Sequence, residues 1–194
     1  MSQKRDTDYL AVSTRIHAME NRMLTRERME RMIDAKDSGE AAKVLSECGY
    51  GELTQLTSAA LEELLADARR NTFRDMADSV PDRRLVEVFQ LKYDYHNAKV
   101  LIKAQAMGLD EARLLSQGGR YDPQRLREDF LRDDLRDWGE VFRQAVLRAR
   151  EVLSATGDPQ QADLVLDRAC CQEMESRESE RCFPETGREN SVRF

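Results

Sequence analysis

Apolar residues recur along this chain at steps of three and four, the spacing of one helix face. Tyr9, Val12, Ile16, Met19 and Met23 put a narrow apolar stripe on a charged rod, which predicts a helix from Thr7 to Arg22. Thr25 is an N-cap candidate for a short helix over Arg26 to Ala35. Ser38 can cap a third helix that presents Ala41, Val44, Leu45 and Cys48 and stops at Gly49. Thr57 or Ser58 caps a longer helix lined by Leu61, Leu64, Leu65, Ala68, Thr72 and Met76, and Pro81 marks its end. Asp82 opens the next helix, which extends to Met107 and stops at Gly108. Gly118 and Gly119 form a loop, and Asp122-Pro123 is a helix start, an acceptor followed by proline at the first helical position. Trp138, Val141, Phe142, Ala145, Ala149, Val152 and Leu153 line an amphipathic helix that ends at Gly157. Asp158-Pro159 starts another, with Gln161 completing a capping-box pattern.

The periodicity fades beyond Met174. From Glu175 to Phe194 the apolar residues are Cys182, Phe183, Val192 and Phe194, with Pro184 and Gly187 as breakers, so residues 175–194 read as a disordered tail. Composition agrees with helices elsewhere. The chain has 194 residues with 4 Pro and 9 Gly, too few turn formers for a sheet protein of this length. The reading is all-α, an antiparallel helical bundle.

Charge narrows the function classes. There are 31 basic and 37 acidic residues, a net charge of −6, with the signs interspersed. No basic block exists to neutralise phosphates, which argues against nucleic acid. The longest run without a charge is Leu53 to Leu61, far short of the ~20 apolar residues of a membrane span. The first residues lack the apolar core of a secretory signal. Cys48, Cys170, Cys171 and Cys182 form no C-x-x-C pair, and His17 and His96 lie far from them, so reduced thiols are expected and no zinc site. The expectation is a soluble, cytosolic, helical protein.

A search for chemistry finds no P-loop, G-x-G-x-x-G, H-E-x-x-H or G-x-S-x-G, hence no catalytic, cofactor-binding or metal residues and no cofactor. Acidic pairs such as Glu62-Glu63 and Asp133-Asp134 read as solvated helix faces. One segment breaks the local rules. Between Lys92 and Ala104 the poor helix formers Tyr93, Asp94, His96 and Asn97 sit mid-helix among apolar neighbours. Asp94, Asn97 and Leu101 share a face, and a buried Asp must be paired or hydrogen-bonded. Asp94 and Asn97 are therefore expected to tie this helix to a neighbour, through an arginine such as Arg15 or through a backbone amide. His96 reads as a hydrogen-bonded packing residue, and Tyr9, Tyr50 and Tyr93 as core or rim aromatics.

Two stretches together resemble a known family. Tyr9, Arg15, Glu20 and Met23-Leu24-Thr25 precede a short helix, Ala41-Ala42-Lys43-Val44-Leu45 and Gly49-Tyr50-Gly51; Lys-Tyr-Asp-Tyr-His-Asn-Ala-Lys-Val-Leu-Ile-Lys-Ala then spans Lys92 to Ala104. The combination is similar to the C subunit of V-type rotary ATPases and ATP synthases, whose eukaryotic counterpart is the d subunit. The resemblance implies an architecture of three similar helical units, of which residues 6–156 supply one and residues 158–174 the opening helix of a second. It further implies a chain shortened after its first unit. The implied role is mechanical: a non-catalytic rotor socket of the central stalk. It would link the central shaft to the membrane ring of proton- or sodium-carrying subunits, peripherally on the cytoplasmic face. ATP hydrolysis and ion passage would belong to other subunits. Motif position makes Arg15, Asp94, Asn97 and Lys99 structural or interface candidates. The alternatives are a cytosolic helical adaptor that packs amphipathic stripes against unrelated partner helices, and an enzyme with an unrecognised site.

Overall fold

The computed structural model describes residues 6–53, 57–110 and 112–182. After a short 3-10 turn (Asp6–Tyr9) come α1 (Leu10–Glu20), α2 (Arg26–Ile33), α3 (Ser38–Glu47), α4 (Ser58–Ser79), α5 (Arg84–Met107), α6 (Pro123–Leu131), α7 (Glu140–Thr156) and α8 (Pro159–Cys182). No strand occurs among the described residues, so the class is all-α.

The local signals act where expected, with a few shifts. Thr25 and Thr57 cap α2 and α4, each accepting from the backbone N–H three residues on. Asp37, not Ser38, caps α3: its carboxylate accepts from Glu40 N at 2.8 Å, and Glu40 returns a bond to Lys36 N at 2.9 Å. A carboxylate also suits the positive end of the helix dipole better than a hydroxyl. Asp122 caps α6 with Pro123 at its first position. Asp158 accepts from Gln160 N, but its own N–H is taken by Thr156 Oγ1. Gln161 therefore has no capping-box bond to complete. Trp138 lies before α7, in a turn closed by its N–H on Leu135 O, and Asp133, in the turn after α6, adopts a left-handed φ of 56°.

The chain divides into two units, Met1–Val86 and Glu87–Phe194. The boundary falls inside the expected stretch 6–156, and residues 158–174 group with residues 87–156. In unit 1, α1 packs on α4 and α2 on α3. Among the described residues its buried side chains are small or medium: Val12, Ala41, Ala42, Val44, Leu45, Cys48 and Val86.

Unit 2 holds the large core. α5 contributes Leu91, Tyr95, Ala98 and Ile102, α7 contributes Phe142, Ala145, Val146 and Ala149, and α8 contributes Ala162, Leu166 and Cys170. Each set follows helical spacing, so one stripe per helix faces inward. Leu126 and Phe130 of α6 and Trp138 close the core. The rings of Tyr95 and Phe142 meet edge to face at 5.1 Å, and those of Tyr121 and Trp138 at 4.5 Å. α8 packs along α7 and runs to Cys182, past Met174. Of the expected tail, residues 183–194 lie outside the described residues.

Candidate functional site

The rule-breaking segment of α5 is the best-built polar site in unit 2. Asp94 and Asn97 are both fully buried. Their partner is neither a neighbouring helix nor Arg15; it is the connection from α5 to α6. Asp94 Oδ1 accepts from the backbone N–H of Arg120 at 2.9 Å and of Tyr121 at 3.3 Å. Its Oδ2 accepts from Arg120 Nε at 2.6 Å. Asn97 makes a reciprocal pair with Ser116: Ser116 N donates to Oδ1 at 2.7 Å, and Nδ2 donates to Ser116 O at 2.8 Å. Gln90 Nε2 adds a bond to Gly119 O at 3.1 Å, and His96 Nε2 one to Leu114 O at 3.1 Å. Three successive turns of α5 thus hold one strap of chain.

The strap lies close because it can. A Cβ built on Gly119 would run into the Asp94 carboxylate, and one on Gly118 would press on the Tyr93 ring at 3.0 Å. Glycine is needed at this pair for proximity, since neither carries a positive φ.

Arg120 carries the network across to α8. Its Nη1 donates to Glu173 Oε1 at 3.0 Å, and Tyr95 donates its hydroxyl to Glu173 Oε2 at 2.9 Å. Arg177 donates to Glu173 at 3.1 Å and to Glu87 at 3.1 Å. Burial pushes the Asp94 carboxyl above its ordinary value, against the pull of Arg120 and the two backbone amides. Burial alone would lower Arg120, but Asp94 and Glu173 outweigh it and hold the guanidinium above its ordinary value. Burial, then Glu173, raises the Tyr95 hydroxyl well above its ordinary value. Burial also pushes the Cys170 thiol up to about 11, so it stays protonated.

Chemically this arrangement fastens. Both oxygens of Asp94 and both of Glu173 are engaged, so each is spent on holding its partners. Lys99 lies outside this network: its Nζ reaches Asp167 at 2.6 Å, and Lys103 reaches Asp163 at 2.9 Å, two rungs between α5 and α8. Arg15 lies in unit 1, where it meets Asp75 at 2.8 Å and Ser79 Oγ at 3.2 Å, half exposed. The four residues singled out from the sequence therefore do not converge. Among the described residues, no group of three or more His, Cys, Asp or Glu is placed to hold a metal ion, and no helix is long and apolar enough to cross a membrane.

Sequence reasoning missed Arg120, Glu173 and Tyr95. Glu173 had a signal: it follows Ala162, Leu166 and Cys170 on the inward stripe of α8, where a charge demands a partner. Tyr95 stands on the Leu91, Ala98, Ile102 stripe of α5 in the same way. Arg120 had none, since a loop arginine beside two glycines looks like any solvated one.

Against known proteins, the family model described as "ATP synthase (C/AC39) subunit" matches residues 12–188. The match runs through the whole site and beyond Met174. The C subunit of the V-type sodium ATPase of Enterococcus hirae is 23% identical over 122 residues, which cover 62% of this chain and 37% of that protein. The chain thus spans little more than a third of that relative. No solved structure matches with significance.

Proposed function

The chain belongs to the ATP synthase (C/AC39) subunit family, and from that premise we propose that it is a non-catalytic central-stalk piece of a V-type ion-translocating ATPase or ATP synthase. In that role it links the shaft to the membrane ring at the cytoplasmic face, while ATP hydrolysis and ion passage belong to other subunits. The observation that carries the reading is where the buried charge goes. Asp94 and Glu173 are buried and the Arg120 side chain is 9% exposed, and they meet one another and not an open cleft. Enzymes concentrate such groups where substrate can reach them. A part that transmits force needs them inward, fixing helices against one another, because close-packed interiors deform little. The strap, α5 and α8 are joined in this way by charge-assisted bonds.

The test is co-purification of the affinity-tagged chain, expressed in its own host, from membranes dissolved in a mild detergent. The expected result is recovery together with shaft and ring subunits, and no ATP hydrolysis by the chain alone. Recovery without either neighbour, bound instead to an unrelated protein, would overturn the stalk assignment in favour of a helical adaptor. Hydrolysis by the purified chain would overturn the non-catalytic part.

A further inference from the structure

Three helices of unit 2 end at one cleft. The last turns of α5 (Ala106, Met107), α6 (Phe130, Leu131) and α7 (Leu153, Ser154) line a space of about 680 Å³, and Gly157 and Pro159 complete it where α8 begins. Each helix C-terminus carries about half a negative charge and each N-terminus half a positive one, so three ends against one start leave about one negative charge there. None of α5, α6 or α7 has a basic residue in its last turn. The charged side chains that line the cleft, Arg150 and Asp133, offset each other, so the helix ends set its sign. Arg150 is tied to Asp133 and to Phe130 O and lies over the Phe130 ring at 3.8 Å.

The walls are apolar. Ile102, Ala106 and Leu153 line the cleft, and Met107 and Leu131 at its lip are 64% and 59% exposed. Two large apolar side chains left in water beside a negative cleft define the complement: an apolar surface with cationic flanks. We propose that this cleft docks a helix of a partner protein that inserts apolar side chains between Met107 and Leu131 and sets a lysine or arginine against the three helix ends. The long stems of those residues pack on apolar walls while their charged heads reach the carbonyl ends. This inference does not rest on the stalk role, since the cleft and its charge would be the same in an adaptor.

The test uses the full chain and two designed helical peptides with the same leucine face, one flanked by lysines and the other by glutamates, read by fluorescence anisotropy. The lysine peptide should bind at least about tenfold tighter, a difference of about 1.4 kcal/mol. A net charge of −6 attracts any cationic peptide, so the cleft is isolated with charge-neutral variants. The Met107→Gln, Leu131→Gln pair should weaken binding at least about tenfold. Leu164→Gln, equally apolar, half exposed and outside the cleft, should leave binding unchanged. Gln105→Lys, which adds a cation at the cleft, should weaken the lysine peptide and not the glutamate one. Circular dichroism checks that each variant keeps its helix content. Equal binding of both peptides, or equal losses inside and outside the cleft, would overturn the proposal. So would a dimer that Leu131→Gln dissolves, which would make the occupant a second copy. Tighter peptide binding after removal of residues 183–194 would make it the chain's own end.

Discussion

In unit 1 the longest helix, α4, has 22 residues and buries none of them fully; in unit 2, α7 has 17 and buries Phe142, Ala145, Val146 and Ala149. The charged groups divide the same way. Arg15 and Asp75 of unit 1 are about half exposed, whereas the side chains of Arg120 and Asp94 in unit 2 are 9% and 0% exposed. In water an ion pair contributes little, because solvent already satisfies both partners. In a close-packed interior it becomes decisive, because nothing else can satisfy either one. The same residue types are thus interchangeable decoration in one unit and positional determinants in the other.

The strongest way to break that contrast is Arg120→Met. It would leave Asp94 and Glu173 buried without their shared cation, a loss of about 3–5 kcal/mol. Trp138 is the single tryptophan and lies in the unit 2 core, so its fluorescence during urea unfolding reads this unit directly. The pH dependence carries a sign. Burial already raises Asp94, and loss of Arg120 raises it further, so the folded variant holds a proton that the unfolded chain releases near pH 4. The variant should therefore regain stability on acidification toward that value. A deficit that stays flat with pH would mean that Arg120 matters for packing and not for charge.

Gly119→Ala is the next largest. A methyl group there has to displace either the strap or the Asp94 carboxylate, at a cost of about 1–3 kcal/mol. Gly49→Ala in unit 1 is the matched control. It meets no atom within 4 Å, and its φ of +83° alone makes the substitution unfavourable. If Gly119→Ala were neutral by Trp138 fluorescence, the strap would not be held against α5 as described.

Tyr95→Phe is smaller, about 0.5–1.5 kcal/mol for one lost hydrogen bond, because Glu173 keeps Arg120 and Arg177. Its signature is the alkaline limb. The Tyr95 hydroxyl is raised in the folded protein, so its contribution is complete below the unfolded value of about 10 and falls away as pH rises above it. The wild type should lose stability above that pH more steeply than Tyr95→Phe. Parallel alkaline limbs would remove Tyr95 from the network.

How much of this was legible follows from the same contrast. Helix starts were readable because caps are local: Thr25, Thr57 and Asp122 each act within three residues. The burial of Asp94 and Asn97 was readable because both interrupt an apolar stripe. Their partner was not, because a separation of 26 positions between Asp94 and Arg120 makes the pairing a tertiary fact. Glu173 was overlooked because the helix was expected to end at Met174, and a charge beside a helix end reads as solvated unless the apolar stripe is followed up to it. The end of α8 was misjudged for a related reason. Arg177 anchors that turn through Glu173 and Glu87, by bonds that periodicity in apolar residues does not register.

The smallest expected effect tests the other half of the comparison. Arg15→Ala removes the bonds to Asp75 and Ser79, yet the Asp75 carboxylate stays half exposed to water, so the cost should not exceed ~1 kcal/mol. It should shrink further near 1 M salt, where screening acts over about 3 Å. Far-UV circular dichroism reads both units and Trp138 only the second, so a small shift in the first signal with none in the second is the expected pattern. A loss above ~2 kcal/mol would mean that unit 1, for all its exposure, also hangs on a specific pair. An equal shift at Trp138 would mean that the units unfold together, and that the buried network of one stabilises the sparse core of the other.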